Sequence, residues 1–186
     1  MEIVSTPLAG LLEIKGTKFY DNRGWFTEAF SLKHYREAGL TLPPFVQDNL
    51  SYSHRGVVRG LHLQHAPFAQ AKLVSVLKGK VVDVVVDIRT DSATFGKWHS
   101  VILSDTANNA LFVPEGFAHG FAALEDTYFF YKCSTFYNPS AEGGIRWNDA
   151  DLAIDWQIEN PIISAKDEAL PSFRELKGKL LTSHHA

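Results

Sequence analysis

The segment QDNLSYSHRGVVRGLHLQ, residues 47–64, concentrates amides, two guanidinium and two imidazole groups in what otherwise reads as strand and turn. Arg59 and His62 stand on either side of Gly60. A guanidinium offers a fixed fork of donors to phosphate or carboxylate oxygens, and an imidazole that titrates near neutral pH takes or gives a proton. Strict alternation along VVRGLHLQ puts Val57, Arg59, Leu61 and Leu63 on one face and Val58, Gly60, His62 and Gln64 on the other. That separates the two functional side chains. A glycine within a strand marks a bulge, a twist or a close approach, and each of these re-aims its neighbours. From this stretch alone, an ordinary hydrogen-bonded core histidine is the commoner reading of His62.

A second stretch, PEGFAHGF at residues 114–121, brackets His119 with two glycines directly after the apolar run ALFV. Its P-x-G-x-x-H pattern resembles the second metal motif of the cupin superfamily, a set of small β-barrels. Ala123 stands where that motif has Asn, and the first motif is incomplete, because His62 and His65 are three apart with no carboxylate close behind. Zinc or iron needs three or four converging N, O or S ligands, so no metal is expected. His62 and His119 then become candidates for acid–base work or ligand binding. The orienting carboxylate could be Asp83, Asp87 or Asp167, and the acid a tyrosine of YFFYKCSTFY. Spacing does not choose among them.

These residues must be positioned by strands. After about residue 45 the apolar residues come in short β-branched runs separated by Gly, Pro, Asn and Asp, the pattern of an antiparallel sandwich or barrel. AKLVSVLKG, KVVDVVVDIR, WHSVILS and NALFVPEG are the clearest strands. In VVDVVVDIR the alternation sets Asp83, Val85 and Asp87 against Val82, Val84, Val86 and Ile88, so one face is partly polar. SLKHYREAG is the one convincing helix, with Ser31 as N-cap and Gly39 suited to its C-terminal turn. From WNDADLAIDW onward, Pro161 and Pro171 predict loops and short helices, and the tail after Leu176 is expected to fray.

The 186 residues fit one domain, with no repeat, low-complexity tract or flexible linker to divide them. A net charge of −3 argues against general nucleic-acid binding, which needs a basic excess to neutralise phosphates. The single Cys133 excludes an internal disulfide framework, and the apolar runs are too short for a membrane span or a signal core. A cytoplasmic location is expected.

Six collinear blocks, QDNLSYSHRGVVRGLHLQ, QAKLVSVLKGKVVDVVVDIR, TFGKW, PEGFAHGF, FYKCSTFYNPSAEGGIRWND and SAKDEALPSF, together resemble the dTDP-4-dehydrorhamnose 3,5-epimerase family. FYDNRGWFTEAF near the N-terminus fits as well. The resemblance implies an all-β, cupin-type jelly-roll barrel with a few short peripheral helices. It also implies a homodimer in which N-terminal strands, here the segment before Asp21, exchange between subunits. The implied reaction is epimerisation of a dTDP-linked 4-keto-6-deoxy sugar at positions 3 and 5 without nicotinamide, flavin or metal. His62 would be the base, Asp167 its dyad partner and Tyr131 the acid, with Lys72 beside the reacting sugar. Nucleotide-sugar binding would fall to Arg23, Glu28, Gln47, Asp48, Asn49, Arg59, His119, Glu142 and Lys166. Leu63 replaces a common aromatic, and no catalytic position departs from the pattern. Alternatives are a single-centre epimerase or a 3,4-ketoisomerase on a related nucleotide sugar, and a non-catalytic sugar-binding cupin.

Overall fold

The computed structural model describes residues 1–183. In chain order the strands are β1 (Glu2–Ser5), β2 (Leu12–Lys15), β3 (Phe19–Asp21), β4 (Gly24–Phe26), β5 (Gln47–Ser53), β6 (Val58–Gln64), β7 (Lys72–Lys78), β8 (Lys80–Asp87), β9 (Trp98–Ser104), β10 (Asn109–Val113), β11 (Phe117–Ala123), β12 (Thr127–Cys133) and β13 (Glu142–Gly144). The α-helices are α1 (Leu32–Glu37), α2 (Ala165–Glu168) and α3 (Phe173–Ser183). The strands form a six-stranded sheet in the order β1-β2-β10-β7-β12-β5, a five-stranded sheet in the order β13-β6-β11-β8-β9, and the separate hairpin β3–β4. The pairings in both large sheets are antiparallel, as the short β-branched runs require.

Burial on both faces of the five-stranded sheet explains the near-continuous valines of β8. Val82, Val84 and Val86 pack behind it with Ile145, Leu152 and Trp156 of the C-terminal half. Val81 and Val85 point the other way, where they meet Val74, Leu111 and Phe129 of the six-stranded sheet. Each such side chain contributes about 1.5–3 kcal/mol of burial. Asp83 interrupts the inner row fully buried, so the barrel interior is apolar at one level and ionisable at the next.

α1 begins as its sequence predicts, with the Ser31 hydroxyl accepting from the His34 N–H and Gly39 following at φ +85°. Its Tyr35 packs with Ile14, Leu73 and Phe112 on the outer side of the six-stranded sheet. Beyond Leu176 the chain continues as α3 to Ser183, and Leu176 and Leu180, one turn apart, pack against the cluster behind the five-stranded sheet. The rest of the expected tail lies outside the described residues. Among the described residues, no helix is long and apolar enough to cross a membrane.

At the N-terminus β1 pairs with β2, and β2 with β10. The hairpin β3–β4, however, joins neither large sheet and holds Phe19, Tyr20, Trp25 and Phe26 exposed.

Candidate active site

The opening puzzle of Arg59 and His62 resolves at Gly60. β11 pairs with β6 through His119 opposite His62 and Phe121 opposite Arg59, with a register shift between them. Gly60 adopts φ +119°, and a Cβ there would lie 2.7 Å from the Gly120 Cα and 2.8 Å from the His119 carbonyl oxygen, so only glycine fits. Val58, Leu61 and Leu63 all enter the cluster behind the sheet. The alternation therefore slips by one at Gly60, and Arg59 and His62 both turn away from that cluster.

His62 meets its carboxylate across 105 residues of sequence. Its Nε2 lies 2.7 Å from an Asp167 oxygen, while the other Asp167 oxygen accepts the Gly60 N–H at 3.1 Å. Asp167 itself is fixed at the start of α2, where its N–H donates to the N-cap hydroxyl of Ser164. Burial opposes ionisation of Asp167, but the His62 and Gly60 hydrogen bonds outweigh it and hold the carboxyl below its ordinary range. Asp167 engages Nε2, which leaves Nδ1 as the other ring nitrogen, and the side chain is 33% exposed.

The facing sheet supplies the opposite wall. On β12, Phe129, Tyr131 and Cys133 alternate inward, whereas Tyr128 points out and is exposed. Burial raises the Tyr131 phenol, which keeps it protonated at neutral pH, and nearby Arg59 opposes the shift. Lys72 on β7 stands opposite Cys133 in the strand register. Burial lowers its ammonium, against the pull of Cys133, Asp83 and Glu142. Below them, His119 Nε2 lies 3.0 and 2.9 Å from the two oxygens of Asp83, whose carboxyl is raised by burial. Phe129 stacks on Phe121 at 4.1 Å between ring centroids and forms the apolar floor. Asp87, the other sequence candidate, is consumed in its own turn by Arg89, Ser92 and Thr94, which hold it at about 2. Among the described residues, no group of three or more His, Cys, Asp or Glu is placed to hold a metal ion.

The mouth is polar. Lys166 donates to both oxygens of Glu142 at 2.7 Å, and the Tyr137 hydroxyl donates to the same carboxylate at 2.7 Å. Asn49 donates to the Cys133 sulfur, and Gln47 to the Asn49 side chain, so both lie on the inner side of β5. Asp48 points to the opposite face and pairs with Lys132. Arg59 reaches across to the end of β5, donating to the Ser53 hydroxyl and the Tyr52 carbonyl. Two further sequence candidates are not brought here: Arg23 pairs with Asp21 at the hairpin turn, and Glu28 with His34 beside α1. Conversely, Gln64 and Gln70 frame the mouth although the sequence did not single them out, and Tyr137, among the tyrosines offered as the acid, stands there bonded to Glu142. Gln64 had a signal, two residues beyond His62 on one strand face.

A family profile described as dTDP-4-dehydrorhamnose 3,5-epimerase matches residues 5–175. A curated protein of that name from Shigella flexneri is 46% identical over 168 residues, covering 90% of this chain and 93% of its own length. The crystal structure of dTDP-4-dehydrorhamnose 3,5-epimerase from Elizabethkingia anophelis NUHP1 is 49% identical with a TM-score of 0.87, covering 94% of this chain and 97% of that one. The crystal structure of dTDP-6-deoxy-D-glucose-3,5-epimerase from Legionella pneumophila, in complex with dTDP-4-keto-L-rhamnose, is 44% identical with a TM-score of 0.90 and covers 96% of each chain. Agreement in sequence and in backbone over nearly the whole length means that this chain, a jelly-roll barrel of the cupin type, belongs to the dTDP-4-dehydrorhamnose 3,5-epimerase family.

Proposed function

We propose that this chain is a cytoplasmic isomerase that inverts positions 3 and 5 of dTDP-4-dehydro-6-deoxy-D-glucose, giving dTDP-4-dehydro-L-rhamnose for rhamnose biosynthesis. One observation carries the reading: a His–Asp pair stands on one wall of the barrel and the half-buried phenol of Tyr131 on the other. Inversion needs a proton taken from one face of a carbon and another delivered to the opposite face.

The 4-keto group acidifies the hydrogens at positions 3 and 5, because the carbanion left by deprotonation delocalises onto oxygen as an enolate. Neutral His62 takes the proton at Nδ1, and Asp167 stabilises the imidazolium through Nε2. The Lys72 ammonium favours charge developing on the keto oxygen. Tyr131 then donates its proton from the far wall, and solvent reprotonates the phenolate while His62 releases its own proton. No redox step occurs. Arg59 suits the diphosphate as a donor fork, with Gln47, Asn49, Glu142 and Lys166 around the nucleotide sugar. His119, locked by Asp83, shapes the floor.

Arg23 and Glu28 reach this ligand only from a second copy. The proposed assembly is a homodimer in which the exposed hairpin β3–β4, with its four aromatic side chains, packs on the partner. Light scattering that shows only monomer at micromolar concentration would sink this part.

Incubation with the keto sugar in deuterated water tests the chemistry. Deuterium at both positions 3 and 5 with inversion of both is expected. Deuterium at one position alone would establish a single-centre epimerase, movement of the keto group a ketoisomerase, and no exchange at all would overturn catalysis.

A further inference from the structure

Three glutamine side chains hold one loop. Gln64 accepts the Asn138 N–H at 2.7 Å and donates to the carbonyls of Phe136 at 3.3 Å and Phe68 at 2.7 Å. Gln70 donates to the Thr135 carbonyl at 2.6 Å, and Gln47 accepts the Tyr137 N–H at 3.0 Å. Main-chain groups of four successive residues, 135 to 138, are thus taken by side-chain amides from elsewhere. A loop satisfied this way has no strand partner of its own and keeps its shape only while the amides stay in place.

The loop's position gives that dependence a consequence. It carries Tyr137, whose hydroxyl is bonded to Glu142, and Glu142 holds Lys166, the residue next to Asp167. Glu142 is also the cross-strand partner of Gln64 in the β13–β6 ladder. Gln64 therefore meets the chain Tyr137–Glu142–Lys166 at two of its members, through the loop that carries Tyr137 and through its ladder partner Glu142, and it stands two residues from His62 on the same side of β6. Its single amide also stitches the turn at Phe68 to the loop.

We propose that Gln64 is a positioning residue: through its carboxamide it fixes loop 134–138, and with it Tyr137, Glu142 and Lys166, at the mouth of the barrel for binding the nucleotide sugar. This rests on the functional reading above. The effect falls on binding, since none of the groups held this way belongs to the His62–Asp167 pair or to Tyr131.

The test is Gln64→Leu, close in volume but without donor or acceptor, assayed on the keto sugar and for dTDP affinity by calorimetry. Loss of three neutral hydrogen bonds should raise KM and the dTDP Kd about tenfold while kcat stays within about threefold. Amide exchange should quicken at Asn138 and its neighbours, with the β12 amides unchanged. Combined with Tyr137→Phe, the effects on KM should be less than additive, because both changes release the same loop. A fall in kcat at unchanged KM, additive effects, or unaltered exchange at Asn138 would each overturn the proposal. If the leucine variant does not fold, Gln64→Asn, which keeps the amide but is one methylene short, repeats every arm with the same deciding outcomes. A wild type that neither turns over the keto sugar nor binds dTDP would overturn the functional reading instead, and exchange at Asn138 would still decide whether Gln64 orders the loop.

Discussion

The barrel holds two histidine–carboxylate pairs almost side by side, for His62 and His119 are direct partners across β6 and β11. In both, Nε2 faces an aspartate within hydrogen-bond distance. Their surroundings differ. Asp167 comes from a helix far along the chain, is further bonded by the Gly60 N–H and lies below its ordinary pKa, and its histidine is one-third exposed. Asp83 sits within the strand adjacent to β11, is wholly buried and lies above its ordinary pKa, and its histidine is 8% exposed. In the proposed mechanism the same two residue types thus make a proton-exchanging pair where the carboxylate is stabilised and the ring is reachable, and a structural lock where neither holds.

The largest effect that tests this contrast comes from removing each imidazole in turn. His62→Asn should abolish epimerisation and solvent deuterium uptake together, a loss on the order of 10²–10⁴-fold or more, the range of general acid–base catalysis. His119→Asn should retain exchange, with its damage showing in stability and KM. Wild-type exchange in His62→Asn would move the base elsewhere, to His119 first.

The facing wall gives the next effect. Tyr131→Phe should leave His62 able to form the enolate and return solvent deuterium to the same face, so exchange continues while inversion stops. Tyr128→Phe should change little, because that side chain is on the outer face. NMR of position 3 and 5 protons separates exchange from inversion. If Tyr128→Phe fails and Tyr131→Phe inverts normally, the acid has been misassigned.

How much of this was legible in the sequence follows from the range of the interactions. Alternation in VVDVVVDIR correctly set Asp83 and Val85 on the face opposite Val82, Val84 and Val86, because strand periodicity is local, and Ser31 announced its helix for the same reason. Strict alternation misplaced Arg59 relative to His62, since the slip at Gly60 depends on Gly120 of the neighbouring strand, although the glycine itself was a fair warning. The choice of Asp167 over Asp83 and Asp87 came from family resemblance alone, as a contact across 105 residues leaves no periodic trace. Short helices were expected beyond WNDADLAIDW, but the extent of α3 was not, because Pro171 and the polar end of the chain masked the Leu176–Leu180 stripe. The glutamine contacts to residues 135–138 were invisible because each joins a side chain to backbone, which carries no residue identity.

The smallest effect is a matter of pH. Asp83 in the folded chain holds its proton more tightly than in the unfolded chain, where it titrates near 3.8, so the native state binds more protons over the interval between the two values. Stability from this group is therefore undiminished below the unfolded value and declines as pH rises toward the folded one. Asp83→Asn keeps an oxygen to accept from His119 but cannot titrate, so it escapes that decline. Melting curves of the two proteins should then converge near pH 4, and by pH 7 the variant should gain on the wild type by about 2–4 °C for each 1 kcal/mol of relief, as expected for a chain of this length. Asp167→Asn should behave in the opposite sense, because its folded pKa is depressed: the wild type's advantage is present above the unfolded value and fades as pH falls through the folded one. Parallel curves for Asp83→Asn and Asp167→Asn across this range would mean that the two carboxylates do not differ as the structure describes. A crossing of the two differences would show that one aspartate is kept charged for His62 while the other is tolerated for the sake of His119.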